Sequence, residues 1–589
     1  MKTTRLIAAV AAGAIATTGL AACGGSSGGA NDSSGDTKAT GKFNAAVGNV
    51  FNPSDAKGGT LRYANSGDWD SLDPADTYYG YSWNFIRNYG RTLTVFKAGP
   101  GAPELVPDLA ESLGKPSADA KTWTYTIRTG VKFEDGTPVT SKDVKYGIER
   151  SLDKKTFPQG PTYFNDFMDL QGYTSPYQDS DPNKLGLKAI ETPDDQTIIF
   201  HLNRPFSGMD YFAQLPATIP VPATKDTGTK YKEHVISSGP YMFKTNELGK
   251  KFTMVRNPNY DPATDPDSGR KPLADNLEVT LNVNADDIDN RLQSGDVDIA
   301  IEGTGLQSAA QGKVLSDAAL KAKADTAATT RLWFTSLNAD VAPLDNIDCR
   351  KAVLFAADKT GYQRAYGGAI GGDIATNLMP PLIPGAVKTD LYGAGSKPDG
   401  DIDKAKQALQ ACGQPNGFAT NISYRAERPK EKATAEALQQ SLAKVGIKLT
   451  IKPYPLADYT KLYAGKPDYA KKNKLGLMVY GWGADWPDGF GFLSQIVDSR
   501  VIRAEGGNTN LGIKIPAVDA MLDKALETTD TTAREKIWGD IDKAVMENAS
   551  ALPGVWAKGL LFRPDNLTNV FVNNGFGMYD YAAIGTSRK

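Results

Sequence analysis

The chain of 589 residues contains only two histidines and three cysteines. A Ser-His-Asp or Cys-His catalytic site needs a histidine as its base, and neither His201 nor His234 has a nucleophile motif beside it. The sequence also lacks the Cys-x-x-Cys and His-x-x-x-His spacings that hold zinc, and a glycine-rich loop that ends in Lys-Ser or Lys-Thr. We therefore expect a protein that is not an enzyme and that uses no metal or cofactor.

The sequence also lacks an excess of positive charge and an apolar run long enough to span a membrane. The formal net charge is −2, which leaves no excess of cations to neutralise phosphates, so we predict no nucleic-acid partner. The apolar run at residues 6–20 is shorter than the roughly 20 residues that span a bilayer, and no other run approaches that length. A membrane-spanning helix is therefore not expected.

Cys23 has the most informative surroundings in the chain. Lys2 and Arg5 precede the apolar run, small residues lead up to Cys23, and a stretch rich in Gly and Ser follows it. These are the parts of a secretory signal, and residues 20–23 resemble a bacterial lipobox, in which the cysteine is acylated and becomes the new N-terminus. The alternative is an ordinary signal peptide with a cysteine in its cleavage region.

We accordingly predict a signal peptide at residues 1–22 and a lipid-carrying flexible tether at 23–57. The tether is poor in large apolar groups and cannot bury enough surface to order itself. The protein is expected on the extracellular face of the bacterial membrane, held there by the lipid on Cys23. In this oxidising compartment the two remaining cysteines, Cys349 and Cys412, are expected to form a disulfide. The alternative is two separately buried thiols.

The rest of the chain alternates helices with strands, which indicates mixed α/β domains. Residues 123–128 alternate with the period of a strand, and Thr140 or Ser141 can cap the helix that follows. Glycine ends a predicted helix at Gly295 and again at Gly446, and alternating apolar residues follow each time. At about 150 residues per domain, the length indicates two to four domains.

Aromatic residues surround a single carboxylate at residues 480–488, in the segment YGWGADWPD. The segment follows a predicted strand at 475–479, so we expect it at a strand end that opens into a loop. Aromatic walls around Asp485 suit a cation or a stacked ring, whereas glycoside hydrolysis requires a second carboxylate within about 5–10 Å. The alternative is a Trp-rich hinge that packs on a core. The pattern favours binding over turnover.

Several segments carry a resemblance to a known family. They are LVPDLAES (105–112), WTYTIRTGVKF (123–133), DGTPVTSKDV (135–144), SGPY (238–241), RNPNY (256–260), LQSGDVD (292–298), CRKAV (349–353) and ADK (357–359). From about residue 58 to the C-terminus the chain resembles the extracellular solute-binding proteins of ABC importers. More narrowly, it resembles family 5, which includes dipeptide- and oligopeptide-binding proteins.

The resemblance implies an α/β, two-lobed periplasmic-binding-protein-like fold of the large cluster-C type, with an extra subdomain in lobe one and a hinge. The ligand is enclosed between the lobes, and closure is an equilibrium that the ligand shifts. The implied segments are lobe one at 58–95 and 231–329, its extra subdomain at 96–230, lobe two at 330–552, and a return to lobe one at 553–589.

The resemblance also implies a ligand site. In peptide-binding members an aspartate of a Gly-Trp-x-x-Asp segment holds the ligand's terminal ammonium, and the matching residue here is Asp485. Some members have an arginine shortly before the Gly-Trp pair, where this chain has Val479, so no partner for a ligand carboxylate is identified. The other expected site residues supply backbone groups or pocket walls: Ser238, Gly239, Gly481, Tyr79, Tyr81, Phe334, Ser336, Trp482 and Trp556.

We therefore expect a monomeric receptor that binds an oligopeptide or dipeptide and delivers it to the permease of an ABC importer. Relatives take up other solutes, so an oligosaccharide, a nickel chelate or haem is the first alternative. A secreted hydrolase is the second, and the missing histidine constellation argues against it.

Overall fold

The computed structural model describes residues 42–426, 428–455, 458–528 and 530–589. Cys23, the predicted signal peptide and the first part of the predicted tether lie outside these residues. Within them, no helix combines the length and the apolar character needed to cross a membrane.

The described residues form these strands: β1 Thr60–Ala64, β2 Thr94–Phe96, β3 Leu105–Pro107, β4 Lys115–Pro116, β5 Thr122–Thr126, β6 Ile190–Glu191, β7 Thr197–His201, β8 Tyr241–Glu247, β9 Lys251–Arg256, β10 Asn276–Thr280, β11 Ile299–Ala300, β12 Ala324–Leu337, β13 Gly372–Ile374, β14 Ala419–Arg425, β15 Lys448–Tyr454, β16 Leu475–Gly483, β17 Ala551–Phe562, β18 Leu567–Thr568, β19 Val572–Asn573, β20 Met578–Tyr579 and β21 Gly585–Thr586. They form these α-helices: α1 Gly80–Ile86, α2 Ser141–Ser151, α3 Tyr163–Phe167, α4 Met209–Ala213, α5 Ala285–Ser294, α6 Ser308–Ser316, α7 Ala318–Lys321, α8 Ile347–Ala356, α9 Lys359–Ala365, α10 Ile402–Ala411, α11 Pro429–Ala443, α12 Pro467–Lys472, α13 Gly489–Val497, α14 Pro516–Glu527 and α15 Thr531–Glu547.

Lobe one is built on a five-stranded sheet with the order β11-β1-β10-β9-β8. β1 runs parallel to β10 and β11, and β9 runs antiparallel to both β10 and β8. Leu61 and Tyr63 alternate with less buried neighbours along β1 and point into the core. The C-terminal segment returns to this core, where Leu567 and Tyr579 are buried.

The extra subdomain of lobe one contains an antiparallel sheet with the order β4-β5-β7-β6. Helix α2 packs against this sheet through the fully buried Val144 and Ile148. The helix begins at a capping box, in which the backbone N–H of Thr140 donates to Oδ2 of Asp143 at 2.8 Å. The capping residue and the apolar face predicted from the sequence are both present.

Lobe two is built on a six-stranded sheet with the order β13-β17-β12-β16-β14-β15. Helix α11 packs on β14, β15 and β16, and Leu438 and Leu442 on its buried face are fully enclosed. A disulfide joins Cys349 on α8 to Cys412 at the end of α10, 63 residues apart in the chain. It fixes two neighbouring helices of lobe two to each other.

Two long strands connect the lobes. β12 and β17 pair antiparallel along their length, with an irregularity between Ala328 and Leu332. Ala324 and Phe562, at one end of the pair, share a cluster with core residues of lobe one, whereas Phe334 lies in a cluster that includes the core of lobe two. This arrangement and the sheets on either side confirm the predicted α/β, two-lobed fold with crossing strands between the lobes.

Two details differ from the expectations. Residues 42–57 lie against lobe one: Asn44 N–H donates to the carbonyl of Ala324 at 3.0 Å, and Phe51 N–H to that of Val570 at 2.7 Å. Residues 42–57 are therefore not the flexible tether that we predicted. Backbone hydrogen bonds to lobe one and the burial of Ala46 hold this stretch in place although it has few apolar side chains. In addition, β16 continues to Gly483 instead of ending at residue 479, because pairing with β12 extends to Arg331.

Candidate functional site

Asp485 lies just beyond β16, where lobe two meets lobe one. Its backbone N–H donates to the carbonyl of Gly491 at 3.0 Å, and that of Ala484 donates to the carbonyl of Thr330 on β12 at 3.3 Å. Asp488 caps the next helix, α13, by accepting from the N–H of Phe490 at 2.8 Å. These bonds fix the position of the Asp485 backbone relative to the hinge strand.

Two tyrosines of lobe one bind the Asp485 side chain. The hydroxyl of Tyr78 donates to Oδ2 at 2.8 Å, and the hydroxyl of Tyr163 donates to the same oxygen. No described residue donates to Oδ1, and no described cation pairs with the carboxylate. The residue is only half-buried, so Oδ1 is an available acceptor at the junction of the lobes.

The electrostatic state of Asp485 follows from these surroundings. Desolvation raises the pKa of Asp485 to about 7, and the hydrogen bonds from Tyr163 and Tyr78 lower it only in part. Burial and the nearby Asp485 carboxylate in turn raise the pKa of Tyr78 and Tyr163, so both hydroxyls remain proton donors. Among the described residues, no cation stabilises the charge of the ionised Asp485 carboxylate.

Aromatic rings close the junction around Asp485. The fully buried Trp486 lies with its ring centroid 4.9 Å from that of Tyr163 and stacks on Tyr211 at 5.6 Å. Phe490 packs against Phe167 of the extra subdomain at 5.7 Å. The Trp-rich segment therefore packs between the lobes and also carries Asp485. Both interpretations of the segment, a binding site and a Trp-rich hinge that packs on a core, fit this arrangement.

Two arginines pack on the ring of Trp333 on the hinge strand, and they were not predicted from the sequence. Arg331 on β12 is opposite Gly483 in the register, and its guanidinium carbon is 5.5 Å from the centroid of the Trp333 ring. Arg428 approaches the same ring at 5.7 Å. The available signal was the position of Arg331 in the sequence, three residues before the predicted wall residue Phe334.

The predicted pocket walls fall into two groups. Tyr79 is 48% exposed and stacks on Tyr81 at 5.5 Å, so both rings lie together at the surface of lobe one. Phe334 and Ser336 are buried inside lobe two, where the Ser336 hydroxyl donates to the carbonyl of Leu511 at 3.1 Å. In this structure they are core residues and do not form a free wall.

The two predicted tryptophans lie on the hinge sheet. Trp482 and Trp556 are both paired with Leu332 in the register, one from each neighbouring strand. Trp482 is buried, and neither indole N–H has a hydrogen-bond partner among the described residues. They flank Leu332 from opposite sides, on the two strands that border β12.

The backbone groups of Ser238 and Gly239, which we expected to pair with a ligand, make hydrogen bonds within the protein. The N–H of Gly239 donates to the carbonyl of Tyr89 at 2.9 Å, and its carbonyl accepts from Asn257 Nδ2 at 2.9 Å. Ser238 donates its N–H to the same carbonyl of Tyr89. Gly481 leaves room for the Trp333 ring, because a Cβ at position 481 would lie 2.1 Å from that ring.

Each of the two histidines lies beside a glutamate. His201 Nε2 lies 2.8 Å from Glu191, and His234 Nε2 lies 2.7 Å from Glu134. Among the described residues, no group of three or more His, Cys, Asp or Glu is placed to hold a metal ion.

Comparison with known proteins identifies the family. Residues 104–502 match the family model for bacterial extracellular solute-binding proteins, family 5. Heme-binding protein A of Haemophilus influenzae is 29% identical over 509 residues, covering 82% of this chain and 84% of its own length. A probable D,D-dipeptide-binding periplasmic protein of Escherichia coli is 28% identical over 504 residues, covering 83% and 87%.

Solved structures agree with the fold. Clavulanic acid biosynthesis oligopeptide binding protein 2 superposes with a TM-score of 0.89 at 42% identity, over 94% of this chain and 99% of its own. A periplasmic binding protein of Helicobacter pylori, solved with the peptide STSA, superposes with a TM-score of 0.71 over 91% and 99%; at 22% identity it supports the fold alone. The chain belongs to the bacterial extracellular solute-binding proteins of family 5, the solute receptors of ABC importers.

Proposed function

We propose that this protein is a lipid-anchored receptor that binds a short peptide between its lobes and delivers it to an ABC importer. The observation that carries the peptide assignment is Asp485, whose Oδ1 has no donor among the described residues and whose carboxyl has no cationic partner there. The terminal ammonium of a peptide is such a partner. A charge-assisted hydrogen bond contributes about 1.5–3 kcal/mol, which is enough to fix the direction of the peptide.

The position of Asp485 links binding to closure. Oδ2 accepts from tyrosines of lobe one while the residue itself belongs to lobe two. An ammonium at Oδ1 would favour the ionised carboxylate, which accepts these two hydrogen bonds more strongly than the neutral acid. The ligand would therefore stabilise the arrangement in which both lobes contact Asp485, and the permease would recognise that closed form.

The relatives leave the solute class open between peptide and non-peptide ligands. One is named for haem and another for a D,D-dipeptide, whereas the similar structure at 42% identity is named for oligopeptides. A haem or an uncharged oligosaccharide has no ammonium for Asp485. The unpaired carboxyl therefore favours a peptide over both.

Calorimetry tests the peptide assignment. Wild-type protein is titrated with tri-alanine and with N-acetyl-tri-alanine, which lacks the ammonium. We expect tri-alanine to bind at least tenfold more tightly, and this preference to disappear in Asp485→Asn but persist in Asp399→Asn, a control at an exposed residue. Equal binding of both peptides by wild-type protein, or an unchanged preference in Asp485→Asn, would sink the ammonium role.

The lipid anchor is a separate part of the proposal. It is supported by the sequence around Cys23 and by the membership of an extracellular family. We expect Cys23→Ala to be released from the bacterial surface, while the wild-type protein stays in the membrane fraction and incorporates labelled fatty acid. Retention of Cys23→Ala in the membrane would show that another element anchors the protein.

A further inference from the structure

Residues 444–474 of lobe two carry an excess of positive charge. The segment contains eight lysines and two aspartates but no arginine or glutamate, which gives it a net charge of +6 in a chain whose net charge is −2. The rest of the chain is therefore acidic, with a net charge of −8. In the part of the chain that the structure describes, no carboxylate lies within ion-pair distance of any of these lysines: Lys444, Lys448, Lys452, Lys461, Lys466, Lys471, Lys472 and Lys474.

Strand β15 lies at the edge of the sheet of lobe two and presents two of the lysines. Alternate residues of a strand share a face, so Lys448 and Lys452 lie on the same face as Tyr454. Leu449 points to the opposite face and is buried. Lysine on an edge strand prevents pairing with a further strand, which accounts for these two residues but not for the lysines outside the strand.

Three tyrosines join this face of β15 to the segment that follows it. The ring of Tyr454 stacks on that of Tyr463 with the centroids 4.5 Å apart. Tyr469, on helix α12, lies 5.2 Å from Tyr463 and 5.9 Å from Tyr454. The three rings thus form a cluster between the edge strand and the helix.

Exposed side chains from two further elements lie next to the tyrosine cluster. Lys461 and Leu462 directly precede Tyr463, and Leu462 is 40% exposed. Lys472 is exposed and follows Tyr469 by three residues, so it lies on the same side of α12. Lysines from a strand, a turn and a helix therefore surround one group of aromatic rings.

We propose that these lysines and tyrosines form a lysine face, made of Lys448, Lys452, Lys461 and Lys472 around the tyrosine cluster, that docks on the anionic headgroups of the membrane. Lysine is a hydrated point charge on a flexible stem, so it needs no fixed partner geometry and suits a layer of mobile headgroups. Tyrosine has an apolar ring and a polar hydroxyl, and it is enriched where a membrane meets water. Leu462 adds apolar contact with the same layer.

The location of the protein supports this partner over others. The family is extracellular, and the lipid that we propose on Cys23 would keep the chain beside a membrane. A lipid chain together with a basic surface binds a membrane more strongly than either alone. Docking through the lysine face would hold lobe two at the membrane surface, where the permease lies. The inference does not depend on which solute binds, and its test uses protein without the lipid.

Flotation with vesicles tests the lysine face. Residues 23–589 with Cys23→Ala, which cannot be lipidated, serve as the parent protein. The parent is mixed with vesicles of phosphatidylcholine alone, or of equal parts phosphatidylcholine and phosphatidylglycerol. The same measurement is made on the lysine-face variant, which adds Lys452→Gln, Lys461→Gln and Lys472→Gln.

A second triple variant controls for the loss of charge. It removes three exposed lysines of lobe one, so its net charge changes as much as that of the lysine-face variant: Lys115→Gln, Lys132→Gln and Lys244→Gln. Thermal melting checks that both variants are folded, as expected for exposed side chains without an ion pair among the described residues.

We expect the parent to bind the anionic vesicles and not the neutral ones, and to bind less as the salt concentration rises. The lysine-face variant should bind at least tenfold more weakly, and the control should change less than twofold. Failure of the parent to bind anionic vesicles, or equal losses in the two variants, would overturn the inference. If the parent does not bind vesicles but the lysine-face variant impairs transport in cells, the face contacts a protein instead, which also overturns it.

Discussion

The hydroxyl of Tyr78 in lobe one donates a 2.8 Å hydrogen bond to Oδ2 of Asp485 in lobe two. The two residues are 407 positions apart in the chain. The bond therefore reports on the contact between the lobes, and its strength depends on whether Asp485 is ionised. The contact between the lobes, the protonation of Asp485 and the ligand binding that we propose therefore involve one carboxyl group.

The pH dependence of stability follows from the raised pKa of Asp485, about 7 in the folded protein against an ordinary 3.8. The folded state holds the proton more tightly than the unfolded state. The contribution of Asp485 to the free energy of unfolding is therefore complete below about pH 4 and is lost as the pH rises through 7. We expect Asp485→Asn to match the wild type near pH 4 and to be more stable at pH 8. The gain is a few kcal/mol at most, at about 1.4 kcal/mol per pKa unit.

Urea unfolding at both pH values measures this difference, with Asp399→Asn as the control for loss of a surface charge. A constant offset between Asp485→Asn and wild type across the pH range would contradict the assignment of the raised pKa to this residue.

Gly481→Ala tests the packing of the Trp333 ring against β16. The added methyl group would lie 2.1 Å from the Trp333 ring, so the ring must move. Overpacking of this kind costs about 1–3 kcal/mol, and we expect a matching loss of stability in urea unfolding together with weaker peptide binding. Gly483→Ala is the control, because its methyl group would make an ordinary contact at 3.4 Å. Equal effects of the two substitutions would argue against a specific role for Gly481.

Tyr211→Ala tests the aromatic contact between the lobes. Tyr211 belongs to the extra subdomain and stacks on Trp486 of lobe two at 5.6 Å. Without this ring the closed arrangement loses apolar contact area, so we expect a larger radius of gyration in X-ray scattering from the ligand-free protein. Tyr469→Ala removes a ring that packs on Tyr454 and Tyr463 within lobe two, and it should leave the radius unchanged.

Removal of the disulfide should destabilise lobe two. Cys349 and Cys412 close a loop of 63 residues, for which chain-entropy models give about 4 kcal/mol. We expect the double variant Cys349→Ala/Cys412→Ala to unfold at lower urea concentration than wild type. Addition of a reductant should lower the stability of the wild type and leave the double variant unaffected. Sensitivity of the double variant to the reductant would point to a different thiol.

Local signals predicted much of the fold correctly. The capping residues at Thr140, the left-handed Gly295 after α5 and the alternation in β5 are properties of short segments, so the sequence contains them. The limits of β16 were wrong because strand ends depend on the partner strand. The order of residues 42–57 was missed because it comes from contacts with residues such as Val570.

The site was predicted only in part for the same reason. Asp485 was identifiable from the motif around it, and the structure places it at the junction of the lobes. Arg331 and Arg428 are 97 positions apart, and only the packing of both on Trp333 makes them a pair. Ser336 was predicted to line the pocket, but its hydroxyl donates a hydrogen bond to the carbonyl of Leu511 inside lobe two.

The sequence by itself determined the family, the α/β class, the scarcity of catalytic residue types and the carboxylate at position 485. These follow from residue identity and short-range pattern. The tertiary structure alone decided that Asp485 accepts from two tyrosines of the other lobe, and that Arg331 and Arg428 pack on the same ring, that of Trp333. Desolvation and charge pairing depend on which distant segments meet, and only the folded chain brings them together.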